Sequence, residues 1–154
     1  MTLSPYQLYL INAKHSAVSE HFTLYDISHS DTALAKDIDN RPSADIVANA
    51  KALITNIMEP IRNHFNKPVT VDCIYRCPAL NKAVGGVPTS QHVKGQACDF
   101  VISGLALPVI FNYIKENLNF DQVIYEGTWI HVSYSATHNR KQALAYKNGK
   151  YIAA

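Results

Sequence analysis

Two residues, Gly127-Thr128, separate two short segments in which apolar and polar side chains alternate. The segments are residues 122–126 and 129–134. Glycine at the first position of a two-residue loop is typical of a type II′ turn, which joins antiparallel strands in a tight hairpin. A turn of this length also fixes the register, so that Ile124 pairs with His131. The sequence therefore predicts a hairpin with a known pairing, and this restricts the folds open to the chain.

The other predicted elements are mainly helices in the first part of the chain and strands in the second. Ser4-Pro5 marks the start of a short helix that ends near Asn12. Ser43 begins the main helix, in which apolar residues recur at helical spacing up to residue 61, and Pro60 should kink or restart it. Further strands are expected at 69–75 and 96–102, further helices at 78–84 and 107–118, and irregular structure at 20–42.

Asn148-Gly149 is a strong type I′ turn signal between residues 143–147 and 150–152. Helices followed by hairpin-linked strands are typical of the α+β class. We expect a single domain over residues 1–154, with a helical N-terminal extension at 1–20 and a C-terminal hairpin within 136–154. The predicted sheet is mixed or antiparallel, with helices on one face and a functional cleft on the other.

Three polar residues are candidates for a metal site. In the strand at 96–102, alternation places Cys98, Phe100 and Ile102 on the core face, so Asp99 points the other way. His131 likewise points away from the apolar face of its own strand. His92 lies in the loop before the first of these strands. Hydrogen-bonded core polar residues are the alternative explanation, but two histidines and one aspartate form a known catalytic zinc set with one position left for water.

The predicted hairpin adds a carboxylate to this group. Glu126 pairs with Trp129 in the predicted register and is the diagonal neighbour of His131, roughly 7–8 Å away between backbones. From there its side chain can reach a water bound to a metal on His131 without being a ligand itself. This is the position that a general base requires.

Charge and cysteine content exclude several other functions. The formal net charge is +2 with 17% charged residues and no basic run, which argues against nucleic-acid binding. The three cysteines form no CxxC pair and are expected as free, mostly buried thiols of a protein made in a reducing cytoplasm. Residues 1–11 lack the basic start of a secretory signal, and no apolar run reaches the ~20 residues of a membrane span.

Several spaced motifs resemble the M15 zinc peptidases, which include D-Ala-D-Ala carboxypeptidases and bacteriophage endolysins. The main motifs are Ser-x-His-x-x-Gly-x-Ala-x-Asp at 90–99 and Trp-Ile-His-Val-Ser at 129–133. The small phage-type subfamily is the most similar, through Asp39-Asn40, Tyr75-Arg76 and the stretches 78–86 and 120–126. The resemblance runs over roughly residues 20–135. It implies one zinc ion per chain, with the ligands His92, Asp99 and His131.

The stretch Phe-Asp-x-x-x-Tyr-Glu at 120–126 also resembles the signalling domain of hedgehog proteins, a structural relative of these peptidases. It implies a hedgehog/DD-peptidase-like fold and places Glu126 on the acidic residue of the zinc site. In other branches of the family the catalytic acid lies three residues before the last histidine. Here that residue is Thr128, which cannot serve, so Glu126 is the expected catalytic residue.

The resemblance implies further site residues. Arg76 matches the family arginine that stabilises the developing oxyanion or a substrate carboxylate, although Ile74 and Cys77 stand near it where small residues are expected. The expected substrate-binding residues are Ser90, Gln91 and Trp129.

The expected function is zinc-dependent hydrolysis of peptide bonds in bacterial peptidoglycan, in the manner of an endolysin. The alternatives are a D-Ala-D-Ala carboxypeptidase or dipeptidase, and a non-catalytic zinc module that binds cell wall or protein. The expected partner is a peptidoglycan peptide, with no nucleic acid or membrane, and the expected state is a monomer. The absence of a secretory signal predicts synthesis in the cytoplasm and action at the cell wall after release, as for a phage or prophage enzyme.

Overall fold

The longest helical segment forms the centre of the core and is interrupted once. Helix α4 (Ala44–Leu53) leads into a π turn (Ile54–Met58), and α5 (Glu59–Phe65) continues it. Pro60 has no amide hydrogen and its ring would clash with the carbonyl four residues earlier. The π turn avoids this by a bond from the Glu59 amide to the Ile54 carbonyl, five residues back. The predicted restart of the helix at this proline is therefore confirmed.

The structure, a computed structural model, describes residues 2–154; Met1, the first residue of the expected N-terminal extension, lies outside the described part. The remaining helices are α1 (Pro5–Ala13), α2 (Leu24–Ser28), α3 (Asp31–Ala35), α6 (Pro78–Ala83) and α7 (Leu107–Asn117). Within residues 2–154, no helix combines the length and apolar character needed to cross a bilayer.

The prediction of irregular structure at 20–42 was wrong, because α2 and α3 lie there. Each has only five residues, too few for an apolar periodicity to be visible in the sequence. Both begin at a capping residue instead. Thr23 forms a capping box with Asp26, and the Ser30 hydroxyl accepts a hydrogen bond from the amide of Ala33.

The six strands form one sheet in the order β1-β2-β4-β3-β5-β6. They are β1 (Thr70–Cys73), β2 (Ala97–Val101), β3 (Gln122–Tyr125), β4 (Ile130–Ser133), β5 (Gln142–Lys147) and β6 (Lys150–Ala153). The pairing of β3 with β5 is parallel and the other four pairings are antiparallel. This is a mixed sheet in a single α+β domain, as the sequence predicts.

The core lies between the helices and one face of this sheet. Cys98 and Phe100 from β2, and Ile130 and Val132 from β4, are fully buried in one apolar cluster with residues of the α4–α5 segment and α7. Alternation along β2 and β4 therefore has the predicted phase. Because the apolar side chains face the helices, the polar side chains of the same strands point to the opposite face.

The register of the β3–β4 hairpin is also confirmed. Ile124 pairs with His131, and the Glu126 amide donates to the Trp129 carbonyl at 3.1 Å. Gly127 has φ +99°, a conformation that favours glycine, as the predicted two-residue turn requires.

Strand β1 departs from the predicted alternation. In a regular strand at 69–75, Val69, Val71 and Cys73 would share one face, but the pairing with β2 shifts between Val71 and Cys73. Val71 pairs with Phe100 and contacts the core, whereas Cys73 pairs with Asp99. The irregularity adds one residue to β1, and one extra residue reverses the face that the next side chain occupies. Cys73 therefore lies on the same face as Asp99 rather than in the core.

The Asn40 side chain links its own segment to the segments that contain Ser28 and Tyr75–Cys77. Its side-chain amide donates to the carbonyls of Ser28 and Tyr75, and its oxygen accepts from the Cys77 amide at 2.8 Å. The residue is fully buried, so water cannot replace these bonds if they are lost. Asn40 thus fixes the chain on both sides of Arg76.

Replacing Asn40 with alanine is expected to destabilise the fold by about 2–4 kcal/mol, because the Tyr75 carbonyl and the Cys77 amide lose their partner and the Ser28 carbonyl keeps only the Tyr6 hydroxyl. For a domain of this size the melting temperature should fall by roughly 5–15 °C, measured by circular dichroism. Asn117→Ala is the matched control, since Asn117 is exposed and makes one bond within its own helix. Equal melting temperatures for the two variants would contradict this role of Asn40.

Candidate metal centre

One row of residues runs across the sheet on the face opposite the core. In β1, β2, β4 and β3 the row contains Cys73, Asp99, His131 and Ile124, each paired with the next. Neighbouring strands lie about 4.8 Å apart. The pairing of β2 with β4 therefore places Asp99 beside His131, although 31 residues separate them in the sequence.

His92 reaches this row from a 3₁₀ turn, Gln91–Lys94. The Ser90 hydroxyl caps the turn by accepting from the His92 amide, and Gly95 ends it with φ +70°. A β-carbon at Gly95 would also lie 2.9 Å from the backbone oxygen of Ile46. The serine and the glycine of the 90–99 motif thus have a structural role in positioning His92 against the sheet.

The structure brings the three predicted ligands together. Asp99 Oδ1 lies 2.8 Å from His131 Nδ1, and Asp99 Oδ2 lies 3.2 Å from His92 Nε2. One candidate ligand atom from each residue lies within 4.8 Å of the other two. The side chains are 3%, 18% and 13% exposed for His92, Asp99 and His131, so the group is shielded but open on one side.

The protonation of His92 is set by its surroundings. Its Nδ1 lies 2.9 Å from the Ile74 carbonyl oxygen, which can only accept, so Nδ1 carries the hydrogen. Nε2 is then the basic nitrogen of the neutral ring. It is buried, and the nearby Asp99 oxygen is not aligned with it as a hydrogen bond. A histidine that donates one nitrogen to a backbone carbonyl and leaves the other free is the usual arrangement of a metal ligand.

The negative charge of Asp99 also suits a metal ligand. Burial acts to raise the pKa of this carboxyl group, but the hydrogen bond from His131 and the closeness of both imidazole rings outweigh it and hold the pKa well below its usual range. The carboxylate is therefore ionised at neutral pH. Two imidazole nitrogens and one carboxylate oxygen are the ligand types that zinc prefers in catalytic sites, so the residues fit this ion.

A cleft of about 510 Å³ opens beside His131. Its lining also includes three of the other predicted site residues, Ser90, Gln91 and Glu126. Burial raises the pKa of Glu126, and Asp99 raises it further, whereas His131 and a hydrogen bond from Tyr151 oppose the shift. The Tyr151 hydroxyl lies 3.4 Å from Glu126 Oε2. Glu126 is thus a partly buried carboxyl group in the same cleft as His131.

Arg76 and Trp129 are not part of the lining of the larger cleft. The Arg76 guanidinium donates to the Ser90 hydroxyl at 3.1 Å, and its backbone amide donates to the His92 carbonyl. The side chain lines a second, neighbouring cleft of about 320 Å³ together with Cys73. Trp129 is 36% exposed and is not part of the lining of the larger cleft. Their roles toward substrate stay predictions.

Sequence reasoning missed several residues of this region. Cys73 lies 3.6 Å from His92 Nδ1, at a position that only the irregularity in β1 could reveal. Gln122, Arg140, Leu144 and Tyr151 line the larger cleft. The last three come from the C-terminal segment, whose turn signal at Asn148-Gly149 predicts a hairpin but does not indicate where the hairpin packs.

The α+β domain gathers two histidines and an aspartate beside a cleft that contains a further carboxyl group, Glu126. These are the features of a metal-dependent hydrolase. Residues 20–133 match the family model described as Peptidase M15. The match covers most of the chain, and the chain belongs to this family of peptidases. No curated protein shows a significant match. The family resemblance predicted from the motifs is therefore confirmed.

Proposed function

We propose that the protein is a zinc-dependent peptidase that hydrolyses peptide bonds in bacterial peptidoglycan, as a murein endopeptidase of the endolysin type. Membership of the Peptidase M15 family supports the peptidase activity. The observation that carries the metal dependence is the convergence of His92, Asp99 and His131. Their ligand atoms lie within 4.8 Å of one another, and the buried Nε2 of His92 lies 3.2 Å from Asp99 Oδ2 without a hydrogen-bond partner.

In this proposal His92, Asp99 and His131 hold one zinc ion per chain. The ion would lower the pKa of a bound water to about 7 and polarise the substrate carbonyl. The Ile74 carbonyl prepares the imidazole ring of His92, because it accepts a hydrogen bond from His92 Nδ1. Pre-set ring orientations reduce the reorganisation needed when the ion binds.

Glu126 is the proposed general base. Its carboxylate takes a proton from the attacking water and later returns it to the leaving nitrogen of the peptide. Partial burial and the neighbouring Asp99 charge raise the pKa of Glu126, which makes the carboxylate a stronger base. The Tyr151 hydroxyl restricts its orientation. Both features support the assignment.

The remaining predicted residues act on the substrate in this proposal. Arg76 offers fixed donors and a permanent charge to the developing oxyanion. Its bond to Ser90 supports the assignment, since Ser90 lines the larger cleft. Ser90 and Gln91 hydrogen-bond the peptide backbone from the same loop that carries His92. Trp129 contacts the peptide at the turn between β3 and β4, where its ring is exposed.

The proposal places the enzyme at the cell wall as a monomer of phage or prophage type, with a peptidoglycan peptide as its partner. A D-Ala-D-Ala carboxypeptidase would differ in the bond that it cuts. A non-catalytic zinc module would have no use for a base beside the metal, and the position of Glu126 in the cleft with His131 therefore favours an enzyme.

Digestion of purified peptidoglycan tests the proposal. The zinc-loaded protein should release new peptide fragments, identified by mass spectrometry, and a chelator should abolish the release until zinc is restored. Internal stem or cross-bridge fragments indicate an endopeptidase, and release of a single terminal D-alanine indicates a carboxypeptidase. If added zinc yields no fragment while the protein still sediments with the cell wall, the proposed hydrolysis is wrong and the binding module is favoured.

A further inference from the structure

One wall of the larger cleft comes from residues beyond the family match, which ends at residue 133. Strand β5 pairs in parallel with β3, so that Leu144 extends the row of Ile124 and His131. Arg140, just before β5, and Tyr151, on β6, line the same cleft. The C-terminal segment therefore supplies its own side chains to the candidate substrate site.

Arg140 is held in place by a buried carboxylate. Asp121 is 5% exposed, and its oxygens accept three hydrogen bonds from Arg140. They come from the backbone amide at 3.0 Å, from Nε at 3.0 Å and from Nη2 at 2.8 Å. The Arg140 bonds in turn lower the pKa of Asp121 and keep it ionised. The guanidinium group is therefore fixed before any ligand binds, and little side-chain entropy remains to be lost.

The Nη1–Nη2 edge of the Arg140 guanidinium group is available to a ligand. A guanidinium has five N–H donors, and Asp121 occupies the edge formed by Nε and Nη2. Within residues 2–154, Nη1 makes no hydrogen bond, and the Arg140 side chain is 50% exposed. The Nη1–Nη2 edge matches the two oxygens of a carboxylate in a bidentate pair.

The charges along the cleft indicate what this edge binds. Among the described residues, Arg140 is the one arginine or lysine in the lining, together with the neutral Gln91 and Gln122 and the acidic Glu126. A peptide with a carboxylate near the bond to be cut would avoid Glu126 and pair with Arg140. We propose that Arg140 binds a carboxylate of the peptide substrate and so makes the enzyme prefer free-acid over amidated peptides.

This inference rests on the proposed function and names a specificity residue for it. Two carboxylates of a peptidoglycan stem peptide have the required chemistry: the C-terminal one, and the internal α-carboxylate of D-glutamate. A lysine-type synthetic stem pentapeptide carries both. Two further peptides, one amidated at the C-terminus and the other at the α-carboxyl group of D-glutamate, show which of the two carboxylates Arg140 binds.

Binding is measured by isothermal titration calorimetry with the zinc-loaded E126Q variant, in which turnover does not interfere. We expect one amidated peptide to bind on the order of tenfold or more weakly than the parent, as for loss of a charge-assisted pair. In E126Q/R140Q the difference should shrink to about twofold or less. E126Q/K147Q is the matched control, because Lys147 is an exposed cation on the same hairpin outside the cleft lining. It should retain the full preference.

A purely structural role of Arg140 would weaken all three peptides equally, so the ratio of affinities separates the two roles. R140Q leaves Asp121 without its charged partner, and E126Q/D121N/R140Q therefore repeats the test without a buried charge. Equal binding of the three peptides to E126Q, no binding at all, or a preference that survives in both R140Q variants overturns the proposal. Hydrolysis of peptidoglycan by the wild-type protein is scored separately, so the specificity proposal can fail while the proposed function stands.

Discussion

Replacing Glu126 with glutamine is expected to lower kcat for peptidoglycan peptides by about 10³-fold, within the range of general acid–base catalysis. The substitution keeps the size and the hydrogen-bonding capacity of the side chain but removes its proton-accepting charge. Glu126 lines the cleft with His131 and is hydrogen-bonded to Tyr151 rather than to a predicted ligand. Zinc content, measured by inductively coupled plasma mass spectrometry, should therefore stay at one ion per chain.

Glu116→Gln is the control for this experiment. Glu116 is an exposed glutamate on α7, so its substitution makes the same change in charge away from the cleft and should leave kcat unchanged. If E126Q hydrolyses muropeptides at the rate of the wild-type protein, Glu126 is not the general base. If E126Q also loses its zinc, the carboxylate is part of the metal site itself.

Replacing His92 with alanine, or His131 with glutamine, is expected to remove most of the zinc and to reduce hydrolysis by more than about 10³-fold. Each substitution deletes one of the three predicted ligands that converge on this face of the sheet. Loss of the ion also removes the stabilisation that a bound metal gives the folded state, which is about 4 kcal/mol at a thousandfold excess over Kd. Added zinc should thus raise the wild-type melting temperature by roughly 10 °C and leave the variants almost unchanged.

His138→Gln is the matched control, since His138 is an exposed histidine after β4. It should keep zinc, activity and the zinc-dependent rise in melting temperature. A normal circular dichroism spectrum for the His131 variant would separate loss of the ion from loss of the fold. Full zinc content in both the His92 and the His131 variants would contradict the assigned ligands.

Local patterns were enough to predict much of the fold. The turn at Gly127-Thr128 fixes the pairing of Ile124 with His131, and the alternation in β2 assigns Phe100 to the core. These patterns are readable because the side-chain period of a strand is two and a two-residue turn allows one register. The helices α2 and α3 were not predicted, because elements of five residues end before a helical period repeats.

The residues of the candidate site likewise fall into those that the sequence predicts and those that only the structure shows. Asp99 and His131 are recognisable in the sequence, since each is a polar residue in an alternating strand and points away from that strand's apolar face. The position of Cys73 beside His92 follows from one extra residue in β1, and extra residues of this kind leave no regular mark in a sequence.

The sequence by itself was enough to predict the candidate metal ligands, the hairpin that carries Glu126 and the family to which the chain belongs. These features depend on residue types at short spacings, where local geometry is nearly fixed. Only the tertiary structure decided which segments meet around them: β2 beside β4, the Ile74 carbonyl on His92, and the C-terminal hairpin along β3. Such contacts join residues far apart in the chain, and the free energy that selects them comes from packing of the whole domain rather than from any local pattern.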